Sequence, residues 1–164
     1  MILWIEDRPE TINEHINFCD KNALKHKIVS TTTDFIQKLS ESTHVCLIII
    51  DIMLYGVKNL ENINIFDSDT DGGFNAGWVI IERILRADQK HVTGHLDYYN
   101  IPVLIVTSRP FNDEDKIRIE NLNQKCLNNN WLPVTAIEKS GFCINRKTTY
   151  ELEFKKIVKK HCIK

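Results

Sequence analysis

The sequence has no long hydrophobic run. Its longest uninterrupted apolar stretch is the six residues Val45 to Ile50, whereas a membrane-spanning helix needs about 20. It has no charge excess of either sign. Lys and Arg number 21 against 22 Asp and Glu, for a formal net charge of -1, so the basic imbalance of a nucleic-acid surface is missing. It has no C-x-x-C pair. The five cysteines, Cys19, Cys46, Cys126, Cys143 and Cys162, are widely spaced and odd in number. That predicts reduced, mostly buried thiols in a cytosolic protein, and argues against a disulfide framework or a zinc knuckle. No basic segment precedes the apolar residues Ile2 to Ile5, so the start does not read as a secretory signal. There is no internal repeat and no low-complexity tract. What remains is a chain of 164 residues, 43% hydrophobic and 26% charged. That suits one domain, spanning 1–164, with a core of its own.

The core is announced by Val45-Cys46-Leu47-Ile48-Ile49-Ile50-Asp51-Ile52-Met53. Its residues are mostly β-branched, and the run is continuous rather than alternating. That is the mark of a strand covered on both faces, the centre of a parallel sheet. Asp51 then lies at the C-terminal end of the strand. A carboxylate there either stops the strand and caps a turn, or belongs to a site, since ligands gather at that edge of open α/β sheets.

The rest of the chain repeats the pattern. Ile2 to Ile5 is a first strand ending in Glu6-Asp7. Arg8-Pro9-Glu10 opens a helix with Ile12, Ile16, Cys19 and Ala23 at helical spacing, proline being tolerated in a first helical turn. Lys27 to Thr31 is a short second strand, and Thr33 is the expected cap of a helix carrying Phe35, Ile36 and Leu39. After the third strand comes a stretch of about 52–75, rich in Asn, Asp and Gly and without a clear period. Part of it, Leu60 to Phe66, suggests a short element of no assignable type. Ala76 to Arg86 reads as a helix, Ala87 to Asn100 as an irregular connection, and Pro102 to Thr107 as a fourth strand. Asn112 caps a helix with Asp113, Glu114 and Asp115 in its first turn and Ile119, Leu122 and Cys126 in its stripe. Val134 to Ile137 is a fifth strand, followed by Glu138-Lys139. The last helix runs from about Thr148 with the stripe Tyr150, Phe154, Ile157, Val158 and Cys162.

Five alternations of strand and helix predict a flavodoxin-like (βα)5 three-layer sandwich, with a parallel five-stranded sheet of order 2-1-3-4-5. In that order the strand ends bring Glu6, Asp7, Asp51, Thr107, Ser108 and Lys139 to one edge. Three carboxylates beside a lysine and a hydroxyl suit Mg²⁺, a hard cation that takes oxygen ligands. They also suit phosphoryl transfer, in which charge is positioned and neutralised and an Asp carboxylate is a competent acceptor.

These residues resemble those of response-regulator receiver domains of two-component signalling. The resemblance rests on Ile2 to Asp7, Ile48 to Met53, Thr107 after Val103 to Val106, and Lys139 after Val134 to Ile137, and it extends over essentially the whole chain. It implies that Asp51 is the phosphoacceptor and that a histidine kinase or phosphotransfer protein is the donor. It further implies that Asp7, Asp51 and the Met53 backbone carbonyl bind Mg²⁺ with Glu6 in support, and that Thr107 and Lys139 contact the phosphoryl group. Such a module is cytoplasmic and is not an enzyme that turns substrate over. A homodimer, where one forms, would use the last two helices and the fifth strand.

The sequence departs from the family pattern in several places. Glu6 stands where Asp is commoner. The Asp-Gly pair expected a few residues after the acceptor is best matched by Asp71-Gly72, twenty residues on, so the loop beside the site is enlarged. Ala136 occupies the aromatic switch position, and Ser140 replaces the proline after the lysine, so no cis peptide is expected there. These departures support a second reading, an unphosphorylated pseudo-receiver acting as an interaction module. A phosphohydrolase of the haloacid-dehalogenase type would want a second aspartate where Met53 stands. A flavodoxin would want a Ser/Thr-rich loop after the first strand. No DNA-binding segment is expected after the last helix. Asp67, Asp69 and Asp71 lack the closing glutamate of an EF-hand, since Trp78 is in its place, and read as a solvated loop. His91 and His95 read as loop histidines, and Cys46 as a packed small hydrophobe.

Overall fold

The fold is known from a computed structural model, which describes residues 1–42, 44–55, 66–87, 98–139 and 144–163. Its centre is a five-stranded sheet of order β2-β1-β3-β4-β5. The strands are β1 (Ile2–Ile5), β2 (His26–Val29), β3 (Leu47–Ile50), β4 (Val103–Thr107) and β5 (Val134–Glu138). All four pairings are parallel. The flavodoxin-like arrangement expected from the strand–helix alternation is therefore the one observed.

The unbroken apolar strands are explained by burial on both faces. Leu3, Ile5, Ile48, Ile50, Val103 and Ile105 face one core, with Phe35 and Leu39 of α2 (Thr32–Glu41), Trp78 and Val79 of α4 (Ala76–Ile80) and Leu122 of α5 (Asp113–Asn128). Their neighbours Ile2, Trp4, Leu47, Ile49, Leu104 and Val106 face the other core, with Ile12, Cys19 of α1 (Asn13–Lys21) and Phe154 and Val158 of α6 (Ile144–Cys162). The period of two along each strand thus divides the side chains between two helical layers.

Several local expectations are corrected. The first helix opens with a 3-10 turn, Pro9–Ile12, before α1 begins. Ala23 does not extend its stripe: with φ of 52° it lies in the left-handed region that ends the helix. The cap of α2 is Thr31 and not Thr33, because the Thr31 hydroxyl is the one that accepts the Asp34 N–H. The connection after β3 contains a four-residue helix, α3 (Asp67–Thr70). Asp69 there is held by Arg83 at 2.8 Å rather than simply solvated. The helix read over 76–86 changes form midway, since Ile81–Leu85 is a π-helical turn. The last helix starts at Ile144, ahead of Thr148. Most of Leu60 to Phe66, His91, His95 and Ser140 lie outside the described residues.

Two covalent or charged features were not foreseen. Cys46 and Cys162 form a disulfide with Cα atoms 5.5 Å apart. The expectation of thiols throughout, and of Cys46 as a plain packed hydrophobe, is therefore corrected. Cys19 and Cys126 are the free, buried thiols among the described residues. Arg86 is wholly buried and donates to the carbonyls of Leu85, Tyr98, Ile101 and Leu132 at 2.9 to 3.0 Å. Burial lowers its pKa. Four carbonyl dipoles replace the water that such a charge would otherwise lose, and they tie the end of the π turn to the approaches of β4 and β5. Among the described residues no helix is long and apolar enough to cross a membrane.

Candidate functional site

The C-terminal ends of β1, β3 and β5 meet at one edge of the sheet. Lys139, just past β5, places its ammonium 2.6 Å from Glu6 Oε2 and 2.8 Å from Asp51 Oδ2. Its position is set by β5, whose edge is continued by a Lys139 N–H bond to the Thr107 carbonyl at 2.6 Å. Asp51 and Glu6 are almost closed to solvent, at 4% and 2% exposure. Both carboxylates have a second partner: Asp51 Oδ1 accepts the Met53 N–H at 3.1 Å, and Glu6 Oε1 accepts the Arg8 N–H at 3.1 Å.

One ammonium thus serves two buried carboxylates, leaving the trio one negative charge in excess when both are ionised. Burial pushes the Glu6 pKa up to about 7, against the pull of Lys139 and with the Asp51 charge adding to the rise. The Lys139 pKa is raised as well, which keeps the ammonium charged. Its burial opposes the ammonium, yet Asp51 and then Glu6 outweigh it and hold the pKa above its ordinary value. Protonating Glu6 makes the trio neutral.

The other expected residues are placed as follows. Asp7 Oδ2 accepts the Tyr55 N–H at 2.9 Å, pinning the start of the enlarged connection to the end of β1. Thr107 is fully buried, and its hydroxyl accepts the Arg109 N–H at 3.2 Å. Ala136 pairs with Ile105 in the sheet register and packs against the core.

The fit to a divalent cation can be read from these partners. The donor set of Asp7, Asp51 and the Met53 carbonyl is all oxygen, as a hard cation requires. Among the described residues, however, no three His, Cys, Asp or Glu side chains stand close enough to hold a metal ion. Lys139 stands between Glu6 and Asp51, and Asp7 is engaged with Tyr55. The chemistry fits, and the cation would have to compete with Lys139 and the Tyr55 N–H.

No family model matches the sequence, and no curated protein matches it. Among solved structures the chain is similar to the crystal structure of the N-terminal domain of a response regulator receiver protein from Methanoculleus marisnigri JR1. The two are 18% identical with a TM-score of 0.49, and the match covers 96% of this chain and 92% of that one. A likeness at that level assigns no role, and the fold rests on the strand pairings themselves.

The site has neighbours that sequence reasoning missed. Gly77 sits so close to β3 that a Cβ would collide with the Asp51 carbonyl oxygen, and its N–H bonds the Ile52 carbonyl at 2.9 Å. The turn Asp71-Gly72-Gly73 runs through three successive positive φ values, 52°, 61° and 96°. The Gly73 carbonyl accepts the Leu54 N–H at 2.9 Å. Together these contacts clamp α4 onto the segment just after Asp51. Beyond Thr107, Arg109 pairs with buried Asp115 at 2.6 Å, and the Trp78 indole N–H donates to the same carboxylate oxygen at 3.0 Å. The available signal was Asn112-x-x-Asp115, a capping-box spacing. Both halves of that box are present. The pattern does not disclose that the same carboxylate also takes Arg109 and Trp78.

On the opposite side of Lys139 a cavity of about 360 Å³ opens between α1 and α6, lined by His15, Tyr150, Glu10, Glu14 and Glu151 among others. Burial, and next the Lys139 charge, lower the His15 pKa to about 4. Burial also holds the Tyr150 phenol well above its ordinary value.

Proposed function

We propose that this chain is a signalling receiver module that takes a phosphoryl group on Asp51 from a phosphohistidine donor, a histidine kinase or a phosphotransfer protein. The observation that carries the reading is the Lys139 ammonium held against Asp51 at a sheet edge where Glu6 and Thr107 also end their strands. An Asp51 oxygen attacks phosphorus as the donor N–P bond breaks, and the imidazole leaves with its electron pair. Lys139 is positioned to follow the charge from the carboxylate to the phosphoryl oxygens. Mg²⁺ bound through Asp7, Asp51 and the Met53 carbonyl, with Glu6 beside it, would neutralise charge between acceptor and incoming group. The module is a phosphoacceptor and not a turnover enzyme, and it works in the cytoplasm.

A second reading is favoured by one observation. Tyr55, Phe66 and Phe74 are exposed at 45%, 50% and 37% along the enlarged connection beside the site. Such a surface suits an interaction module that recognises a partner without phosphorylation.

The test is incubation with a small acyl phosphate, with and without Mg²⁺, followed by intact mass. One phosphoryl group added only with Mg²⁺, and lost in Asp51→Ala, is expected. A folded protein that never gains mass, from either the small donor or a panel of phosphohistidine donors, favours the interaction module.

A further inference from the structure

We propose that the Cys46–Cys162 bond is a reversible redox clasp that docks or releases the end of α6, so that this chain responds to thiol–disulfide balance. The inference is independent of the phosphoacceptor reading, because the clasp lies at the sheet edge away from Asp51. Cys46 immediately precedes β3, where its N–H bonds the Met1 carbonyl at 2.9 Å. Cys162 is the last residue of α6, and 116 positions separate the two.

Three observations make the bond a clasp and not a scaffold. First, the fold has its core without it. Trp4, Ile49 and Val106 are buried against Phe154 and Val158, so apolar packing anchors α6 as far as Val158. Second, Val158 is the last buried residue. From Lys159 to Ile163 every residue is half-buried or exposed, and the disulfide is the one covalent tie of that turn to the sheet. Third, Cys46 and Cys162 are both half-buried, whereas the free thiols of Cys19 and Cys126 are buried. A small thiolate can approach the bonded pair and is kept from the other two.

The step balances as two thiol–disulfide exchanges with a dithiol reductant. A thiolate of the reductant attacks one sulfur, the Cys46–Cys162 bond breaks, and a mixed disulfide forms. The second reductant thiolate then displaces the protein sulfur. The products are two protein thiols and the oxidised reductant, and a small disulfide such as oxidised glutathione drives the reverse. In a reducing compartment such a bond is transient and reports the local poise.

The experiment uses the whole chain, equilibrated natively with either oxidised glutathione or a dithiol, then denatured, alkylated and weighed. Three alkylated thiols are expected in the first case and all five cysteines in the second, with a Cys46–Cys162 linked peptide present only in the first. Hydrogen exchange is expected to quicken at least tenfold on reduction in residues 159–163 and to stay unchanged in β1, β3 and β4. Cys162→Ser should show the fast exchange under both conditions. The proposal is overturned by five thiols under oxidising conditions, by a bond that uses Cys143 instead, by a bond that the dithiol cannot open in the folded chain, or by loss of sheet protection on reduction.

Discussion

The Lys139 ammonium stands 2.8 Å from Asp51 Oδ2 across 88 positions of sequence, and it meets Glu6 Oε2 at 2.6 Å on the way. A buried charge shared in this manner is costly to leave alone. Lys139→Met strands Asp51 and Glu6 together, and breaking a buried pair from one side costs about 3–5 kcal/mol. Urea unfolding should show that loss at mildly alkaline pH. It should shrink below pH 7, where Glu6 carries a proton. An equal loss at both pH values would mean that Lys139 contributes through packing and not through charge.

Glu6 and His15 should give stability opposite pH slopes. In the fold Glu6 keeps its proton to about pH 7 instead of 4.5, so its contribution is complete below 4.5 and fades as pH rises through 7. His15 ionises near 4 instead of 6.5, so its contribution is complete above 6.5 and is lost as pH falls through 4. Between pH 4.5 and 6.5 the two slopes oppose one another. Relative to the parent, Glu6→Gln should tilt stability upward with pH across that window, and His15→Phe should tilt it downward. Each tilt is at most about 1.4 kcal/mol per pH unit. Urea midpoints measured at the two ends of the window check this, and parallel curves for all three proteins would remove it.

Asp115 should be the costliest residue of the α4–α5 seam. Its carboxylate accepts from Arg109, from the Trp78 indole and from the Asn112 N–H. Asp115→Ala leaves the half-buried Arg109 without its anion and removes the cap, for about 3–5 kcal/mol. Trp78→Phe removes a single hydrogen bond to a charged group, worth about 1.5–3 kcal/mol, together with some packing. Denaturant unfolding should rank the two in that order.

Gly77 and Gly72 should respond differently to alanine. At Gly72, with φ of 61° and open space around it, only backbone strain is added. That is about 1–2 kcal/mol. At Gly77 the new Cβ meets the Asp51 carbonyl. The expected result is a similar or larger loss of stability, about 1–3 kcal/mol, accompanied by impaired phosphoryl uptake on Asp51. Normal uptake in Gly77→Ala would show that the clamp of α4 on β3 does not position the acceptor.

The sheet and the site edge were legible because their signals are local. A run such as Leu47 to Ile50 ending in Asp51 declares a buried strand and its end, and four strand ends bring Glu6, Asp51, Thr107 and Lys139 to one edge once the sheet order is known. What was missed depends on contacts between distant residues. Cys46 and Cys162 share no spacing pattern, so only the fold pairs them. Arg86 looks like a helix-end surface charge until four carbonyls close around it. Thr31 and Thr33 are equal as caps in sequence, and the hydrogen bond to Asp34 decides between them. The π turn at Ile81–Leu85 leaves the apolar spacing nearly helical and so leaves no trace in the pattern.

Phosphoryl transfer to Asp51 is the reaction on which the proposed function rests. Its most direct test is to trap the product: the chain is treated with a small acyl phosphate and Mg²⁺, reduced with borohydride, digested and sequenced by mass spectrometry. An acyl phosphate on Asp51 would be reduced to the alcohol, and homoserine at position 51 alone is the result predicted. Aspartate unchanged at position 51, with folded protein and a control receiver labelled in the same tube, would contradict it.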